Sequence, residues 1–148
     1  MTFATPGNAA PVGLPRALDA LFARHPDVVV VVAAGNSGSD VAPWPVAHPN
    51  VVAVAAVAAD GGPAPYSNRG TWVDFSAPAD GVVSAYPPVA GQDEGDIGTG
   101  FAAWTGTSFA APQVVGVLAA LIGDGRSDAT GWPRSGRSRR RDRVSVTC

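Results

Sequence analysis

Lysine is missing altogether: every one of the 10 basic side chains among the 148 residues is arginine. A P-loop, a Schiff-base lysine and a Ser-Lys dyad supplied by this chain are thereby excluded, because each depends on a lysine amine. The single cysteine, Cys148, is the last residue, so no internal disulfide can form and cysteine usage says little about compartment. Histidine is limited to His25 and His48. The first seven residues have neither a basic nor an apolar segment of the signal-peptide kind. Asp93, Glu94 and Asp96 lie among glycines, but their spacing does not fit an EF-hand, so a solvated loop is expected there and neither metal nor cofactor is.

What is present is enough for one globular domain: 46% hydrophobic residues and a mean hydropathy of +0.13. Charge is unevenly spread. Residues 1–122 carry three arginines against nine acids, whereas residues 123–148 carry seven arginines against three aspartates. That second block is glycine, serine and arginine with no apolar period, and it is expected to be a disordered tail. Its Arg137, Arg139, Arg140, Arg141 and Arg143 could meet nucleic acid, but without interleaved aromatics or a fold motif this reading is disfavoured.

The chemically most informative stretch is Gly106-Thr107-Ser108-Phe109-Ala110-Ala111-Pro112. Gly106 permits a tight turn, and Thr107 and Ser108 are residue types that occupy helix N-termini. Ser108 is therefore expected at a helix mouth, where orphan N–H groups and the positive end of the dipole favour negative charge developing during nucleophilic attack. The competing reading is a plain N-cap. The following Val114, Val115, Val117, Leu118, Ala119, Ala120, Leu121 and Ile122 leave almost no polar face, so the helix is expected to be buried. It is about 14 residues long, short of the roughly 20 needed to cross a bilayer, and no membrane span is expected.

Upstream, Leu14, Ala17, Leu18, Leu21 and Phe22 recur on one helical face, with Pro15 in the first turn and Pro26 closing the segment; a helix is predicted over 14–24, with His25 at its end. The β-branched run 28–34 reads as a parallel strand buried on both faces. It ends in Gly35-Asn36-Ser37-Gly38, a turn at the carboxyl end of a strand, where open α/β sheets place their ligands. The turn runs into Pro43, Pro45 and Pro49 and not into a helix, which excludes a dinucleotide-binding loop. Residues 51–57 read as a second buried strand, and 71–75, 82–86 and 101–104 as shorter ones. His48, between prolines, reads as a loop residue.

The serine stretch resembles the G-T-S-[MF]-A-[SA]-P signature around the nucleophile of subtilisin-like serine proteases, the subtilases. Ala33-Ala34-Gly35-Asn36-Ser37-Gly38 resembles that family's A-A-G-N-x-G motif. The block Tyr66-Ser67-Asn68-Arg69-Gly70 through Asp74-Phe75-Ser76-Ala77-Pro78-Ala79 is similar to its F-S-x-x-G and D-[VL]-x-A-P-G passage. Thr2 to Thr5 looks like a weakened S-x-G-[GT] strand end.

The resemblance implies an α/β fold of three layers with a mostly parallel sheet, incomplete at the N-terminal side, over residues 1–122. It implies a serine endopeptidase with Ser108 as nucleophile, Asn36 as oxyanion donor, and Ala33, Ala34 and Gly35 in the wall of the substrate pocket. A polypeptide substrate and a separate N-terminal half of the catalytic domain are the implied partners. The family's Asp motif (D-[TS]-G) and His motif (H-G-T-H) normally precede the oxyanion asparagine, and nothing in residues 1–35 matches either. The chain is therefore expected to be a fragment, inactive alone, with a non-catalytic binding module as the alternative.

Overall fold

A computed structural model of the chain describes residues 5, 9–86 and 100–124. The strand end expected over residues 2–5, the acidic loop and the arginine-rich tail fall wholly or mostly outside the described residues.

Helix α1, Leu14–Arg24, has the bounds that its apolar period predicts, with Gly13 at its N-cap and His25 at its C-cap. Strands β1 (Val31–Ala33), β2 (Val52–Val57) and β3 (Phe75–Pro78) form a parallel sheet in the order β1-β2-β3. Strands β4 (Val82–Ala85) and β5 (Phe101–Trp104) pair antiparallel, and helix α2 runs over Thr107–Gly123.

The alternation of side chains along β1 and β2 explains why both strands read as unbroken apolar runs. Val32, Val51 and Ala53 face one way and pack with Leu18, Leu14 and Phe22 of α1. Val31, Ala33, Val52, Val54 and Ala56 face the other way and pack with Ala110, Ala111, Val114 and Leu118 of α2. Helix, sheet and helix are thus three layers, and the small side chains of α2 bring it close to all three parallel strands. Val32, Val52 and Val54 are fully buried, and each such side chain contributes about 1.5–3 kcal/mol through removal from water.

Three expectations are corrected. The strand expected over 28–34 is shorter, Val31–Ala33. The strand expected over 71–75 begins only at Phe75; just before it, Asp74 N–H donates to Ala53 O at 3.0 Å, but Ala53 N–H is taken by the Asp74 side chain, Oδ2 at 2.8 Å, where a strand would offer a backbone carbonyl. Helix α2 is not buried all round. Thr107, Ala110, Ala111 and Val114 are buried, whereas Val115 and Ile122 are 46% and 41% exposed. Among the described residues only the sheet side of this helix is covered.

Candidate active site

The turn after β1 and the first turn of α2 meet at the carboxyl end of the parallel sheet, and Thr107 joins them. Its N–H donates to Asn36 Oδ1 at 2.9 Å and its hydroxyl donates to the same oxygen at 2.8 Å. The Thr107 hydroxyl in turn accepts Gly35 N–H at 3.1 Å. With Oδ1 taken twice, the orientation of the Asn36 amide is fixed, since exchanging its nitrogen and oxygen would set NH2 against a backbone N–H. Asn36 is exposed, and its Nδ2 lies over Gly106.

Gly106 is required where it stands. It has φ +148, and a Cβ there would lie 3.0 Å from Asn36 Nδ2; any side chain would push against the amide. Gly106 N–H donates to Ala79 O at 3.0 Å and Gly106 O accepts Phe109 N–H at 2.9 Å. Ser108 follows as the second residue of α2, half-buried. The N-cap residue is Gly106, which has no side chain to cap with, so the plain N-cap reading of Ser108 does not hold; the first N–H of the helix, on Thr107, is instead taken by Asn36 Oδ1, and Ser108 stands at the positive end of the helix dipole. The structure thus brings Ser108 and Asn36 together through the residue between Gly106 and Ser108. Ala33 and Ala34 are buried at the end of β1 and Gly35 makes the turn at φ +102.

Neither histidine is near this arrangement. His48 is buried on the α1 side of the sheet, against Phe22 with ring centroids 5.4 Å apart and edge-on to Trp44 at 6.0 Å. Its Nε2 lies 3.2 Å from Asp19 Oδ1, and its Nδ1 accepts Asn50 N–H at 3.2 Å. Both ring nitrogens are committed, so this His-Asp pair organises the loop before β2 and cannot relay a serine proton. His25 is exposed at the end of α1.

Tyr66 ties the turn before β4 to the serine turn. Its hydroxyl lies 2.6 Å from Asp80 Oδ1 and 3.3 Å from Ala79 O, the carbonyl that also accepts Gly106 N–H. Burial, then the hydrogen bond to Asp80 and that carboxylate's charge, push the Tyr66 phenol up to about 12, against a smaller lowering by the Gly106 backbone.

The motif order along the chain is matched by a family model. The model described as "Subtilase family" matches residues 4–138. The chain belongs to the subtilase family. This subtilase chain is 39% identical over 107 residues to the thermophilic serine proteinase of Bacillus sp. (strain AK1), an alignment covering 72% of this chain and 24% of that protein. It is 34% identical over 123 residues to thermitase of Thermoactinomyces vulgaris, covering 83% of this chain and 39% of thermitase. Among solved structures, the prenylagaramide maturation protease PagA superposes with a TM-score of 0.66 at 28% identity, over 86% of this chain and 44% of that one. The self-cleaved protease domain of PatA gives 0.65 at 32% identity, over 86% and 47%. The chain therefore spans well under two thirds of the length of each of these subtilases.

Two residues of the site were not singled out by the sequence. Thr107 reads as a cap residue, yet its hydroxyl orients Asn36. Asn68 reads as part of a turn, yet it is buried and bonded to the turn after β1: its Oδ1 accepts Ser37 N–H at 3.1 Å, the Ser37 hydroxyl at 2.9 Å and Ser39 N–H at 3.0 Å. Its partners lie 29 to 34 residues upstream, beyond the reach of any local pattern.

Proposed function

We propose that this subtilase chain carries the nucleophile and the oxyanion donor of a serine endopeptidase, and that its histidine and aspartate come from a further part of the catalytic domain. The observation that supports this most directly is the double hold of Thr107 on Asn36 Oδ1, which leaves Asn36 Nδ2 presented beside the helix mouth that bears Ser108.

In this reading Ser108 Oγ attacks the scissile carbonyl of a polypeptide while an incoming histidine takes its proton. The carbonyl oxygen becomes an oxyanion and receives hydrogen bonds from Asn36 Nδ2 and from the Ser108 backbone N–H at the start of α2. Collapse of the tetrahedral species breaks the C–N bond, and the same histidine protonates the departing amine. The acyl group is left on Ser108 for water to remove. Ala33, Ala34 and Gly35, at the carboxyl end of β1, form one wall for the substrate side chain. Without a base, Ser108 remains a weak nucleophile, so the chain alone is expected to be inactive.

The remaining part of the domain, whether on this polypeptide or another, has a place to sit. Among the described residues, the outer face of α2 exposes Val115 and Ile122. Apolar faces of this kind are ordinarily covered. The test is peptide hydrolysis by this chain mixed with a subtilase N-terminal piece bearing the Asp and His motifs. Activity that appears on mixing and disappears in Ser108→Ala is the expected result; activity that survives Ser108→Ala contradicts the reading. A non-catalytic binding module and nucleic-acid binding draw no support from the described residues.

A further inference from the structure

The place where β1 and β2 separate is decided by two side chains that belong to neither strand. The ladder between them runs through Val52 N–H to Val30 O and Ala34 N–H to Val54 O, each 2.8 Å. In an evenly spaced parallel ladder the next bond would run from Ala56 N–H to Ala34 O. It is replaced. Ala56 N–H donates to Ser67 Oγ at 2.9 Å, Ala56 O accepts Ala64 N–H at 3.1 Å, and Ala34 O accepts Asn68 Nδ2 at 2.9 Å. Residues 64–68 are thus wedged between the carboxyl ends of two strands that are paired as far as Ala33 and Val54.

Within the wedge, Asn68 reaches furthest. Its Oδ1 holds Ser37 and Ser39, its Nδ2 holds Ala34 and its backbone N–H donates to Gly35 O at 2.9 Å. It is 2% exposed. A Cβ on Gly35 would lie 2.6 Å from Asn68 Nδ2, so the turn lies hard against this amide. Asn36 is therefore fixed from both sides: Thr107 grips its side chain, and Asn68 grips the backbone before and after it.

We propose that Asn68 is a positioning residue for the Asn36 donor: by parting β1 from β2 and holding Ser37 and Ser39, it sets the direction in which Asn36 meets Thr107 and the oxyanion. The proposal rests on the role given to Asn36 under Proposed function. Asn68 is too buried to touch substrate and acts only through the turn. Misplacing a catalytic group by about 1 Å costs on the order of 10²-fold, so a loss of roughly 10- to 100-fold in kcat is expected on removing Asn68.

Two measurements test it. In the full 148-residue chain, amide hydrogen exchange of Asn68→Ala should show loss of protection at Ser37 and Ser39. Thr107, whose acceptor is Asn36 Oδ1, should lose protection by about tenfold or more, while Ala53 in β2 stays protected. Asn68→Asp keeps the acceptor for Ser37 and Ser39 but loses the donor to Ala34 and sets a buried carboxylate against that carbonyl, so Thr107 should lose protection there as well. Unchanged Thr107 protection in Asn68→Ala overturns the proposal. If Asn68→Ala exchanges throughout, Asn68→Ser, whose short hydroxyl cannot span Ala34, Ser37 and Ser39, carries the same expectation and the same contrary result. In the complex with an N-terminal piece, Asn68→Ala should lower kcat with KM little changed, and should add almost nothing in an Asn36→Leu background. A full additional loss there means that Asn68 does not act through Asn36. Absence of any activity in that complex defeats the protease reading instead, and the exchange measurements still decide the role of Asn68.

Discussion

On the proposed reading, Asn36 is a donor whose orientation is fixed in advance. Its carbonyl oxygen is held twice by Thr107, so the amide does not have to reorganise when charge develops on a substrate oxygen. In a completed enzyme Asn36→Leu should lower kcat by about 10²- to 10³-fold, the loss known for removal of one oxyanion donor from subtilisin. KM should barely change, because the bond strengthens only as the carbonyl becomes tetrahedral; steady-state kinetics with a peptide amide separate the two. Tyr66 offers a check on the other side of the serine turn. Its phenol is raised from 10.0 to about 12, so the folded chain favours the neutral form. The stabilisation from this group is complete below pH 10, where the unfolded phenol is also protonated, and is lost as pH rises from 10 to 12. Alkaline unfolding followed by circular dichroism should therefore lose stability over that window, and Tyr66→Phe should flatten the decline. A wild-type profile matching that of Tyr66→Phe would show that burial and Asp80 do not hold the phenol neutral. Ser108 and Asn36 were legible as residue types at strand and helix ends. Asn68 was not, since its burial is created by a turn 29 to 34 residues away.

At the scale of elements, the 3.6-residue period delimits α1, and the unbroken apolar runs mark β1 and β2, because both faces of those strands meet helices. The misplaced start of β3 has a different origin. Asp74 makes its bonds to Ala53 with a carboxylate as well as with backbone, a substitution that hydropathy does not report. The exposed side of α2 was also misjudged, since composition tells that a helix is oily on all faces but not which neighbours are present to cover it. The packing of α2 on the sheet has its own test. Val54 is fully buried between the helix and the neighbouring strands, and Val54→Ala removes roughly two methylene equivalents and leaves a cavity. A loss of about 2 kcal/mol is expected from urea unfolding. A change below about 0.5 kcal/mol would mean that the α2 layer is not closely packed on β2.

For the molecule as a whole, three layers of α1, sheet and α2 bring one serine and one asparagine to the carboxyl end of a parallel sheet, and they hold both histidines elsewhere. His48 is a useful contrast, because a buried His-Asp pair in a chain with a candidate serine invites assignment as a base. Its geometry instead commits both nitrogens, to Asp19 and to Asn50, on the far face of the sheet. The central claim is that the nucleophile and its oxyanion donor are in place while the base is supplied from outside this arrangement. Labelling of Ser108 by a fluorophosphonate at neutral pH, followed by mass spectrometry, tests it most directly. The expected result is negligible labelling of the chain alone, rapid labelling after assembly with a piece bearing the subtilase Asp and His motifs, and none in Ser108→Ala. Rapid labelling of Ser108 in the isolated chain would contradict the account.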